Sequence, residues 1–311
     1  MNGSTAESLP EKRPLAIKDP RSWLLFFKNQ FIQDTVYLQL GAFITIGTYL
    51  LTSMVLARSL GPVELGRYDL ATKFYDLCFF IANMGLINVT VVRYSHAVGS
   101  RDRDGKVLAL AAFLKIYLLM AVAIVVLGFF LCPFVGVFFY SDQRVGYFGW
   151  ALCTMGLIEI MRVMARAILL GARQMRDAAC LDSAIALTRL LVLVMAIAGG
   201  FELEGVIFGS VLHAALSSLV GFRFYFLLRR EGEALAPPGL KEVIAAMPRA
   251  TLRQFFSMGF FIALNKNMVQ IVLALGTFFI ADTSFHDAGL LRIAVILVWG
   301  LQLMLSGINQ N

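Results

Sequence analysis

The stretch LARSLGPVELGRYDLA, residues 56–71, joins two long apolar runs and resembles neither of them. Two arginines, a glutamate, an aspartate, two glycines and a proline crowd a connection whose flanks are Leu, Ile, Phe and Val. A second stretch repeats its pattern 223 residues later. Glu64-Leu65-Gly66-Arg67-Tyr68-Asp69-Leu70-Ala71 aligns with Asp287-Ala288-Gly289-Leu290-Leu291-Arg292-Ile293-Ala294. In both, an acid sits just before a helix, where it favours the positive end of the helix dipole. In both, a glycine is expected to allow a tight turn into that helix.

The flanks decide the class of protein. Hydrophobic residues make up 59% of the 311-residue chain and charged residues only 15%, far from the balance of a soluble domain. The apolar residues come in blocks of the roughly 20 needed to cross a bilayer. Eight spans are expected, over 37–57, 68–92, 107–131, 147–170, 179–200, 204–228, 254–280 and 289–308. The chain therefore reads as an all-α polytopic membrane protein. Residues 1–36 form a tail, 37–228 a six-span N-terminal lobe, 229–253 a polar linker with Pro237-Pro238-Gly239, and 254–311 the start of a second lobe. In the tail, RSWLLFFKNQFIQ (21–33) reads either as an interfacial helix or as an extension of the first span.

The net charge of +7 is read through topology rather than as a nucleic-acid signal. Sixteen Lys and Arg residues fall on the side of the tail, the second and fourth loops and the linker, against three (Arg58, Arg67, Arg144) on the other. The positive-inside rule then places the N-terminus in the cytoplasm. No secretory signal precedes the first span. The four cysteines fit no metal or disulfide spacing and read as small buried hydrophobes.

Matching connections after spans one and seven imply two parallel repeats of six spans, related by an axis along the membrane normal. A second bundle begun at residue 254 then needs six spans, of which the sequence supplies two. The 311 residues read as the front of a protein of twelve or more spans, with a natural eight-span protein as the other reading.

Ionisable residues within spans are costly and face a cavity or each other. At 1.5 Å per residue, Lys115 and Arg162 lie roughly 12 Å from the span ends, Arg189 about 15 Å and Lys266 about 18 Å. Glu159, Arg162 and Arg166 share one helix face; Asp182 and Arg189 share another. Lys73, between Asp69 and Asp76, is expected to pair locally, and Arg292 lies near a span end. Five deep cations against two acids leave two readings open: salt bridges that lock helices together, or a cationic, water-filled cavity for an anionic substrate. Thr45, Thr48 and Thr52 on the first span, Asn83 and Asn88 on the second, and Asn265, Asn267 and Gln270 on the seventh add polarity where two lobes would meet. No phosphate-binding loop, nucleophile elbow or metal-spaced His/Glu set occurs, which argues against an enzyme and against a bound cofactor or metal. The histidines His96, His213 and His286 are far apart, and His213 reads as a buried structural residue.

The connection LARSLGPVELGRYDLA, followed by IANMGLINVTVVRYSHAVG (81–99), resembles the start of oligosaccharide flippases, polysaccharide biosynthesis membrane proteins of the multidrug/oligosaccharidyl-lipid/polysaccharide exporter superfamily. The positions that carry the resemblance are Ala57, Arg58, Leu60, Gly61, Pro62, Glu64, Gly66 and Tyr68. RAILLGARQMRDAACLDS (166–183) and DAGLLRIAVILVWGLQLMLSGIN (287–309) resemble later parts of that family. The resemblance implies two six-helix lobes and alternating access around a central cavity. It implies movement of a polyprenyl-pyrophosphate-linked oligosaccharide from the inner to the outer leaflet for surface or exopolysaccharide assembly. The substrate-binding candidates are then Arg162, Arg166, Arg189, Lys115, Lys266, Asn83, Asn88, Thr45, Thr48 and Thr52, with Glu159 and Asp182 as coupling-ion candidates. Arg58, Gly61, Pro62, Glu64, Gly66 and Tyr68 form a structural corner. The implied partners are membrane lipids, the lipid-linked oligosaccharide, and polysaccharide polymerase and export proteins in a bacterial cytoplasmic membrane. A drug/cation antiporter, a peptidoglycan-precursor flippase and a non-transporting truncated paralogue are the other readings.

Overall fold

Residue 61 is where the fold is set. The computed structural model describes residues 30–83, 85–229, 236–249, 268, 272–295 and 298. Within these, helix α1 runs Gln30–Asn83, with Gly61 at φ 71° and ψ 173° in its middle. That conformation suits glycine alone, and Pro62 reinforces it by having no N–H to continue the preceding helix. The two arms of α1 are roughly 46 and 33 Å long at 1.5 Å per residue. They converge on the same side chains, since Tyr49 and Tyr68 both reach Arg189. The expected connection is therefore a one-residue corner between two helices.

Four further breaks order the rest. Gly85, at φ 70°, separates α1 from α2 (Leu86–Gly99), inside the expected second span. Asp102 caps α3 (Arg103–Tyr140), its carboxylate accepting from the Gly105 N–H at 3.0 Å. Ser141, at φ 50°, ends α3, and Asp142 caps α4 (Gln143–Ile158). Glu159 parts α4 from α5 (Ile160–Gly171), in the middle of the expected fourth span. Helices α6 (Met175–Ala198) and α7 (Glu202–Leu228) match the fifth and sixth spans. Beyond them come α8 (Leu240–Ala246), a 3-10 turn (Met247–Arg249), α9 (Val272–Thr283) and α10 (285–295).

Among the described residues, four helices are long and apolar enough to cross a bilayer: Ile32–Phe79 within α1, then α3, α6 and α7. The chain is an all-α, multi-pass membrane protein. The expected tail helix at 21–33 and the candidates Lys266, Asn265, Asn267 and Gln270 lie wholly or mostly outside the described residues.

Two features go beyond the expected spans. Helix α3 does not stop near residue 131 but continues through Pro133 to Tyr140. At roughly 57 Å it is longer than a bilayer of about 40–45 Å. The extension is held by a close crossing with α4, in which Gly136 and Gly146 meet so tightly that a Cβ on Gly136 would lie 2.8 Å from the Gly146 nitrogen. The polar stretch after α7 contains a docked element. Val243 of α8 is fully buried, Arg103 donates to Glu242 at 3.1 Å, and the Tyr225 hydroxyl donates to the Pro238 carbonyl.

The lobe has two buried layers. One gathers Tyr94, Phe113, Tyr117, Met164, Ile168 and Tyr225. The other, toward the Gly61 corner, gathers Leu56, Leu65, Tyr68, Leu152, Leu193 and Val206. Outside them, large apolar side chains face outward, among them Phe130, Phe138, Phe208 and Leu219. In a membrane that surface is solvated by lipid, so its exposure costs nothing. A third, smaller cluster joins Leu70 and Val145 to Ala281 and Ala288 of α9 and α10.

Candidate functional site: charged residues between two matched connections

The second arm of α1 carries the site because the Gly61 corner aims it at both the first lobe and α10. Gly66 is not at a turn, as the sequence suggests, but inside the helix. A Cβ there would lie 1.9 Å from the Phe285 carbonyl oxygen and 3.2 Å from the Gly289 nitrogen. Close backbone approach, not turn geometry, is what requires glycine at Gly66. Glu64 ion-pairs with Arg67, and Arg67 Nε donates to Asp142 at 2.8 Å, tying the corner to the start of α4. Arg58 is exposed at an apolar cavity of about 420 Å³ that Leu65 and Ile293 also line.

Tyr68 is fully buried and stands between two guanidiniums. Arg189, from α6, lies 3.5 Å from its hydroxyl and also donates to the hydroxyl of Tyr49. Arg292, from α10, stacks over its ring at 4.7 Å. Arg292 in turn donates to Asp69 at 2.5 Å and to Thr72 at 3.3 Å, and Thr277 Oγ1 lies 3.5 Å from Asp69. Asp69 thus pairs with the second of the two matched connections, not with Lys73. Lys73 reaches Asp76 instead, at 3.5 Å.

The deep cations divide into two kinds. Arg162 pairs with the buried Glu159 one turn before it. Arg166 Nε donates to both oxygens of Asp182, at 2.9 and 3.0 Å. Asp182 therefore serves Arg166 rather than its helix neighbour Arg189. Among the described residues, no carboxylate lies within ion-pair distance of Arg189; its partners are neutral phenols. Lys115 and Asn88 are half-buried and engaged. Asn83 ends α1. Thr48 and Thr52 donate to the carbonyls four residues back, at 2.7 Å each, so these hydroxyls are spent within their own helix. The buried hydroxyl of Thr45 has no partner among the described residues. His213 is buried on α7. Cys132 and Cys153 are buried as expected, whereas Cys180 is exposed. No cluster of metal-binding side chains occurs among the described residues.

Residues 31–310 match the polysaccharide biosynthesis protein family. The chain belongs to that family. No curated protein matches it, and no solved structure does. As a member it is a multi-pass membrane protein of polysaccharide biosynthesis.

Sequence reading missed Asp69, Arg292 and Tyr49 as site residues. The signal for the first two was present, because the offset that aligns the two connections places Asp69 opposite Arg292.

Proposed function

We propose that the protein is a flippase. It carries a polyprenyl-pyrophosphate-linked oligosaccharide from the inner to the outer leaflet of a bacterial cytoplasmic membrane, for surface or exopolysaccharide assembly, by alternating access between two repeats. The observation that carries this reading is Arg189. A guanidinium deep in a span, held by two neutral hydroxyls, keeps its full charge for an incoming anion. A pyrophosphate offers the paired acceptors that such a fork binds best. Arg162 and Arg166 contribute less, because Glu159 and Asp182 already neutralise them. The same pairing weighs against Glu159 and Asp182 as an open cation site, and so against a drug/cation antiporter. The sixteen-to-three bias of basic residues orients the N-terminus to the cytoplasm.

The test is leaflet-resolved quantification of lipid-linked oligosaccharide in cells lacking the gene. Restoring the protein should clear an inner-leaflet accumulation. Arg189→Ala and Arg189→Lys should insert normally yet fail to clear it, since lysine keeps the charge but not the fork. Normal clearance by both variants overturns the role of Arg189. Absence of any accumulation, with altered drug sensitivity, moves the assignment to the antiporter.

A further inference from the structure

The contact between the two matched connections is reciprocal. A Cβ on Gly66 would meet Phe285 O at 1.9 Å and Gly289 N at 3.2 Å; one on Gly289 would meet Pro62 O at 2.0 Å and Gly66 N at 3.2 Å. Phe285 follows Pro62 by the same offset that relates Gly289 to Gly66 and Arg292 to Asp69. Equivalent residues therefore touch each other around a local two-fold axis. Beside this seam Leu70, Val145, Ala281 and Ala288 form a buried apolar cluster.

Charge breaks the symmetry. Asp69 and Arg292 occupy equivalent positions and pair, with side chains only 6% and 12% exposed. The guanidinium is not fully used, because Arg292 Nε is buried with no partner among the described residues. Its plane covers Tyr68, whose hydroxyl faces Arg189. One tyrosine ring thus separates the pair that joins the repeats from the arginine proposed to receive the anion.

We propose that the Asp69–Arg292 pair is the latch that closes this end of the passage, and that a diphosphate bound at Arg189 opens it by taking Arg292 from Asp69. This rests on the flippase reading for the identity of the anion. A ligand shifts a conformational equilibrium only through contacts that differ between the two states. Here the difference is Arg292: held by one carboxylate when closed, free for the ligand when open. A diphosphate carries more charge and more acceptors than a carboxylate, and it competes for the unused Nε as well as for Nη1. Asp69, left behind with Thr277, then repels the departing anion and favours its release.

The test uses Ala288→Cys as a reporter in the seam, with Cys78, Cys132, Cys153 and Cys180 replaced by alanine. Labelling by a membrane-impermeant maleimide should be slow in this chain. It should be about tenfold faster once Asp69→Asn or Arg292→Gln removes one side of the buried pair. Farnesyl diphosphate should speed labelling of the parent, farnesol should not, and Arg189→Ala should abolish the response. Labelling of Asp69→Asn as slow as the parent overturns the latch. Equal responses to farnesyl diphosphate and farnesol overturn the exchange. A diphosphate response without oligosaccharide movement overturns the flippase reading and leaves the latch standing. If the cysteine-free chain does not insert, export is compared for Asp69→Arg, Arg292→Asp and the double exchange in the native background. Recovery in the double exchange supports the pairing, and none overturns it.

Discussion

The two connections, Glu64–Ala71 and Asp287–Ala294, have one backbone problem and opposite charges at one matched position. Both keep a glycine where helix must touch helix, because the contact is made by backbone and leaves no room for a Cβ on either side. They differ where the first has Asp69 and the second Arg292. Residues at equivalent positions beside a two-fold axis meet their own counterparts, so a repeat with identical charges there would oppose like with like. Divergence at that position turns a repulsive contact into an ion pair that joins the two connections.

Making the two connections alike again should have the largest effect. Asp69→Arg places a second guanidinium against Arg292 in a site with little water. A loss of about 3–5 kcal/mol in the association of the repeats is expected, the scale of breaking a buried pair. Thermal unfolding in detergent should show an early transition for α9 and α10 while the first lobe persists. Gly66→Ala attacks the shared feature instead. With a Cβ 1.9 Å from the Phe285 carbonyl, the helices must separate. The expected cost is about 1–3 kcal/mol, read as a lowered thermal midpoint. Gly289→Ala should match it, because its Cβ would lie 2.0 Å from the Pro62 carbonyl; unequal effects would show that the contact is not reciprocal.

Gly61→Ala sharpens the comparison, because the corner has no crowding. Nothing lies within 4 Å of a Cβ there, so the cost is that of holding a side chain at φ 71° and ψ 173°, about 1–3 kcal/mol. Smallest is Arg103→Ala, which removes an ion pair to Glu242 with both side chains substantially exposed. Under about 1 kcal/mol is expected, with export unchanged.

The corner and the matching of the two connections were legible in the sequence. The resemblance placed Gly61 and Pro62 in a corner, while the residues alone put the turning glycine at Gly66, which lies inside the helix; the fixed offset pointed to the contact of Gly66 with Gly289. What the sequence hid was set by tertiary contact. Gly85 and Glu159 break helices inside stretches the sequence reads as single spans. The expected third span ends at 131, yet α3 runs on through Pro133 to Tyr140, where Gly136 and Gly146 let α4 pack closely against it. Asp182 lies on the face of Arg189, but the turn between α5 and α6 brings Arg166 to it first. Helix periodicity shows which residues share a face, and it does not show which neighbouring helix competes for them. The cationic layer was visible as a list of charges; that two of its arginines are neutralised and Arg189 is not required the packing of α5, α6 and both arms of α1.

The most direct test of the central claim is movement of a fluorescent polyprenyl-diphosphate oligosaccharide across vesicles containing the purified protein, with no other component. Flipping by the parent that is lost in Arg189→Ala, while the variant keeps its thermal midpoint, is the predicted result. Equal flipping by the two proteins would contradict the claim that this arginine receives the diphosphate.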